Sequence, residues 1–320
     1  MTLHHPATSA PSASALRFAP ALFAATLFAS ALLLFAVQPM FTKMVLPMLG
    51  GAPSVWSVAM VFFQAALLIG YAYAHLLART LSVGQGALVH LGVLAAAALT
   101  LPIGIAHGFG APPSTGIGLW LVGLFAASIG LPFAALSANA PLLQSWFAAS
   151  GHPQARNPYV LYAASNLGSF AALLAYPLAI ESMLTLRAQA WVWSLGFAGL
   201  AMLIAAAAMV SARGASQVPI LRATSAAKPT ARDRISWTVL AAIPAGLVIA
   251  VTAYISTDIA AAPLLWVLPL ALYLLTFVAV FRDRPWFSHD FVLKTAPFVA
   301  APLAITLLGG DHQYWGDCGS

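Results

Sequence analysis

Eight residues carry side chains that could contact or pass a solute: Gln38, Lys43, Trp56, Gln64, Asn139, Asn166, Asp258 and Trp266. All lie in long apolar runs or at their ends. An amide both donates and accepts, so Gln64 and Asn166 can either bond one helix to another or line a polar cavity. The small residues around Asn166 (Ala163, Ala164, Gly168, Ser169 and Ala172) favour close helix contact and the first of these roles. Gln38 closes one run, and Asn139 and Gln144 flank the end of another, within "SANAPLLQSWF". Lys43 and Asp258 sit at two breaks, each with a proline before a tryptophan: "QPMFTKMVLPMLGGAPSVW" and "ISTDIAAAPLLW". The first break is either a connector or a gate, with Lys43 facing a pathway or pairing with Asp258. Asp258 can equally cap the next helix through its free N–H groups, or act as a carboxylate that attracts a cation. Trp56 and Trp266 open the runs that follow, where interfacial anchoring is the ordinary use of tryptophan.

No chemistry beyond binding is written here. The chain lacks a nucleophile elbow, a phosphate-binding P-loop, and a dinucleotide fingerprint placed after a strand. The lone Cys318 and the scattered histidines, with His4 and His5 adjacent near the start, have no metal-ligand spacing, so no metal or cofactor is expected. No paired carboxylates lie within a run, which argues against strong proton coupling.

These residues need helices to hold them. Of 320 residues, 62% are hydrophobic and only 6% charged, against about 25% charged in an average soluble domain. Lipid must therefore be part of the solvent. Spanning takes roughly 20 mostly apolar residues, and nine runs qualify, near 18–39, 55–78, 86–106, 117–139, 158–180, 188–210, 236–256, 262–281 and 291–309. Their length and Ala/Leu content predict an all-α, polytopic integral membrane bundle and exclude a β-barrel. Pro39 and Pro47 are expected to break the first helix, with Gly50, Gly51 and Pro53 turning the chain into the second.

The net charge of +6 reflects topology and not nucleic-acid binding. With a cytoplasmic N-terminus, only Lys43 and Arg187 of the 13 Lys and Arg residues fall outside. The expected organisation is a disordered N-terminus (1–17), a six-helix half (18–210), a basic cytoplasmic linker (211–235), a partial second half (236–309) and an atypical, truncated tail (310–320). "APSVW" (52–56) and "APLLW" (262–266) suggest a faint repeat between the halves.

Three stretches carry a resemblance: "QPMFTKMVLPMLGGAPSVWSVAMVFFQAALLIGYAYAH" (38–75); "GLPFAALSANAPLLQSWFA" with "NPYVLYAASNLGSFAALLAYP" (130–177); and "ISTDIAAAPLLWVLPLALYLLTFVAVF" (255–281). Together they resemble the membrane region of bacterial proteins that fuse a major-facilitator-like part to a spermidine-synthase-like domain. The resemblance implies a bacterial inner-membrane location, a small cationic (polyamine-like) solute, and an aminopropyltransferase-like soluble domain as partner. No such domain is present in this chain. A transporter-like membrane part is one expectation, and an anchor for the soluble domain is the other.

Overall fold

The structure, a computed structural model, describes residues 13–49, 54–156, 159–215, 229–254, 267–280 and 288–309. Among these residues every regular element is a helix. Helices suit lipid because each satisfies its own backbone groups. Six described helical segments are long and apolar enough to cross a membrane: Phe18–Leu49, Val55–Thr80, Ile117–Ala149, Val160–Met183, Leu186–Ala212 and Ala231–Thr252. The expected count of nine is not reached among the described residues. The runs near 86–106 and 262–281 yield helices of only 16 and 14 residues.

The chain divides into two units, Met1–Leu221 and Arg222–Ser320. In the first, α1 (Ala13–Val45) runs unbroken through Pro39 into a 3-10 turn, Leu46–Leu49, that contains Pro47. The expected break at Pro39 does not occur. Proline removes one N–H and crowds one turn. Here the neighbouring side chains bond the same stretch of backbone: Thr42 Oγ1 donates to the Gln38 carbonyl at 2.7 Å, and Gln38 Nε2 to the Leu34 carbonyl at 3.3 Å. Next come α2 (Ser54–Thr80) and α3 (Val83–Ala98), joined by a tight turn that Ser82 and Gln85 close as a capping box.

α4 (Ile117–Phe125) passes through a π-turn, Ala126–Gly130, into α5 (Leu131–Ala149). The fourth apolar segment thus ends near 149 and not at 139. α6 (Tyr159–Ala175) likewise meets a π-turn, Tyr176–Ile180, before the short α7 (Glu181–Met183) and α8 (Leu186–Ala215). Each π-turn lies at a proline, Pro132 and Pro177, whose missing N–H loosens the ordinary ladder there. Ser128 Oγ in the first turn accepts from the Ala106 N–H at 2.9 Å, which fastens the preceding loop. Behind the second, buried Tyr176 donates to Gln189 Oε1 at 3.1 Å, and Gln189 Nε2 donates to the Leu184 carbonyl at 2.8 Å.

α1 is the hub of this unit. It lies against α6, α8 and α5, while α2 lies against α5 and α4, and α3 against α8 and α5. The scheme is preserved when the first three helices (α1, α2, α3) exchange with the three helical segments that follow (α4–α5, α6–α7, α8). Exchange turns the α1·α6 pair into α5·α2, and α1·α8 into α5·α3. Glycine permits the two matching close crossings. A Cβ on Gly168 of α6 would lie under 3 Å from the Phe28 carbonyl oxygen of α1, and one on Gly70 of α2 would lie 2.7 Å from the Ala134 oxygen of α5. A third tie is polar: buried Trp193 Nε1 of α8 donates to the Leu33 carbonyl of α1 at 2.9 Å. Between these ties, Phe41, Phe62, Phe63, Phe125 and Phe133 form a chain of tilted and edge-on rings.

In the second unit, α10 (Val267–Val280) and α11 (His289–Gly309) both contact α9 (Ala231–Tyr254). Thr230 and Asp233 cap α9 reciprocally. α8 extends to Ala215 and α9 starts at Ala231, so both ends of the 211–235 stretch are helical. The apolar segment Ala231–Thr252 has no buried share, a condition that suits lipid and not water.

Candidate functional site

The polar centre of the first unit is a hydrogen-bonded group that four helices build. His90 of α3 and Asn139 of α5 are fully buried, and Ser30 of α1 is buried. His90 Nε2 lies 2.7 Å from Asn139 Oδ1, and Asn139 Nδ2 donates to Ser30 Oγ at 2.9 Å. With the amide in this orientation, assigned from the bonding pattern, its oxygen accepts and the imidazole proton sits on Nε2. The other ring nitrogen, Nδ1, lies 3.5 Å from the Tyr73 hydroxyl of α2, a long contact by hydrogen-bond standards. The Trp146 ring stands edge-on to the imidazole, with centroids 6.3 Å apart. His90 is seven residues from the start of α3, or about 10 Å along the axis.

A second arrangement lies on the outside of α2. At 100° per residue, Ser57, Gln64, Tyr71 and His75 fall within about 40° of one another, and all four are exposed. Met60 and Leu68 border them, also exposed. Tyr71 lies close enough to Tyr162 of α6 to interact electrostatically. A helix face in contact with acyl chains is normally apolar, so this stripe has the composition of a wall facing water or polar groups.

The third arrangement is an ion pair between Lys43 Nζ, in the last turn of α1, and Glu181 Oε1, at the start of α7. Both side chains are partly buried. Glu181 is the only Asp or Glu between residues 1 and 221. Lys43 is thus paired with Glu181; Asp258 and Trp266, and with them the alternative in which Lys43 pairs with Asp258, lie outside the described residues. Lys43→Glu is expected to lower thermal stability in detergent by about 1 kcal/mol, the upper range for an accessible pair. Lys43→Glu with Glu181→Lys should recover most of the loss. Equal melting of the single and double variants would mean that the pair contributes nothing.

The other predicted residues are dispersed. Gln38 is half-buried and bonded within its own helix. Trp56 is half-buried in the first turn of α2, and Asn166 half-buried in α6, two residues before the Gly168 crossing. Gln64 is exposed and does not bridge α2 to the buried core. Asn139, expected beside a span end, lies within α5 and is 1% exposed. Sequence reasoning missed His90, Ser30 and Glu181. His90 had one available signal: it is the single ionisable residue of α3, in "ALVHLGVL". Compared with family models, curated proteins and solved structures, the chain shows no match.

Proposed function

We propose that this chain is the transporter-like membrane part of a bacterial inner-membrane protein, N-terminus cytoplasmic, handling a small cationic, polyamine-like solute. The observation that carries the reading is the exposed polar stripe Ser57, Gln64, Tyr71 and His75 along a helix long enough to span the bilayer. Polar side chains in a row on the outside of such a helix are costly toward lipid and ordinary toward an aqueous path. The exchange symmetry of the helix pairs supports it, because major-facilitator halves are built from inverted three-helix repeats. Two aromatic faces, Tyr71 and Tyr162, and the Gln64 carbonyl offer a cation attractive surfaces without fixed charge.

The test is uptake of radiolabelled spermidine by proteoliposomes that hold the full chain. Uptake should exceed that of empty liposomes. Gln64→Leu and Tyr71→Leu should each reduce it at least tenfold while melting remains unchanged, since both positions are exposed. No uptake by the intact chain would end the transport reading. Capture of a separately expressed aminopropyltransferase-like domain, without uptake, would install the anchor reading in its place.

A further inference from the structure

We propose that His90 is a proton-binding site of the membrane interior, reached from the end of the bundle where α2 turns into α3. Its two ring nitrogens each face a group that can serve either protonation state. In the neutral ring, Nε2–H donates to Asn139 Oδ1 and Nδ1 is an acceptor facing the Tyr73 hydroxyl. When a proton from water bonds to Nδ1, the new N–H faces the same hydroxyl oxygen. That oxygen accepts once its own hydrogen rotates away. Asn139 and Ser30 keep their bonds throughout. No bond between heavy atoms forms or breaks.

A cavity of roughly 150 Å³ lies at the α2–α3 turn, lined in part by Leu81, Ser82, Gly86, Leu142, Ser145 and Trp146. It is large enough for several waters, and two of its walls are hydroxyl-bearing. Gly86 stands one helical turn before His90 on α3, and Trp146 contacts the imidazole edge-on. Trp146 thus lines the cavity and also contacts the ring.

The charge that arrives has no counter-ion among the described residues of the first unit. α1 has no ionisable residue between Arg17 and Lys43, α5 has none from Leu131 to Ala149, and α8 has none between Arg187 and Arg213. α3 contributes His90 alone. α2 contributes Tyr73 to the group, with Tyr71, His75 and Arg79 exposed. The unit's single carboxylate, Glu181, is paired with Lys43. Protonation therefore places a bare imidazolium among four helices, and it favours any arrangement of α3 that admits water or an anion. This is the property a coupling or sensing site needs, and it depends on the spanning assignment but not on any particular solute.

The experiment uses the full chain, ¹⁵N-labelled at histidine, in lipid nanodiscs. His90 resonances are identified by their loss in His90→Gln. The expected result is an Nε2–H neutral ring at pH 7 that becomes doubly protonated on acidification while the helix content is retained. Asn139→Asp supplies a counter-charge, so His90 should take its proton at a pH at least one unit higher. Gly86→Leu places a side chain where nothing lies within 4 Å of the added Cβ. It should slow proton exchange at His90 at least tenfold without moving the neutral-state shifts. A ring that stays neutral until the helices are lost overturns the site, and exchange unaffected by Gly86→Leu overturns the route. Solute uptake is read separately, so either failure leaves the transport proposal standing.

Discussion

Gly168→Ala is expected to destabilise the first unit by about 3 kcal/mol or more, the upper part of the usual range for overpacking. The added methyl would meet the Phe28 carbonyl oxygen of α1 at a distance no real Cβ tolerates. Neither atom belongs to a flexible side chain, so α6 and α1 must separate to make room. That separation would loosen the most extensive helix pair in the unit. The control is Gly199→Ala on α8, whose new methyl meets nothing within 4 Å. There the ordinary helix preference of alanine applies, and stability should rise by up to about 1 kcal/mol. Thermal unfolding in detergent, followed by tryptophan fluorescence, reads both. Gly70→Ala should follow Gly168→Ala in sign, because it meets the Ala134 backbone and the Ser137 side chain in the matching crossing. If Gly168→Ala melts like the parent, α1 and α6 do not approach as described.

Asn139→Leu should cost about 2 kcal/mol, through a different mechanism. Leucine is close in size, so packing loss is small. What remains is a buried His90 Nε2–H and a Ser30 hydroxyl without their amide partner. An orphaned buried polar group costs about 1–3 kcal/mol, whereas polar links between membrane helices contribute about 0.6–2 kcal/mol. His90→Leu should be comparable, because it strands the Asn139 oxygen. The double variant His90→Leu with Asn139→Leu should cost clearly less than the two added together. A double-mutant cycle in mild detergent measures that coupling. Strict additivity would show that the two side chains do not depend on each other.

The membrane helices were legible because apolar length is a local property of the text. Their ends were less so, since proline was given too much weight. "QPMFTK" reads as a stop, yet α1 continues to Val45 with Gln38 and Thr42 bonded along its own turns. "SANAPLL" also reads as a stop, yet α5 passes through Pro141 and carries Asn139 into the core. The polar group was not legible at all as a group. Ser30, Tyr73, His90 and Asn139 come from four helices, and no spacing rule connects positions 109 residues apart, as Ser30 and Asn139 are. Lys43 stands out as an exception from its charge alone, but its partner depends on which element α1 meets. The stripe on α2 was partly written, in Gln64, Tyr71 and His75, although only packing shows that this face points outward.

The Lys43–Glu181 pair has a consequence for how the chain enters the membrane. The partners are 138 residues apart, so α1 leaves the ribosome long before its counter-charge exists. α1 bears one basic residue near each end, Arg17 and Lys43, and this balance gives the first helix little charge bias of its own. Until α7 is synthesised, Lys43 remains an uncompensated cation at the end of a newly inserted helix. The next basic residues along the chain are Arg79 and Arg156. The ion pair closes only after the fourth of the six spanning segments has been made, so it joins the ends of two segments that insert at different times.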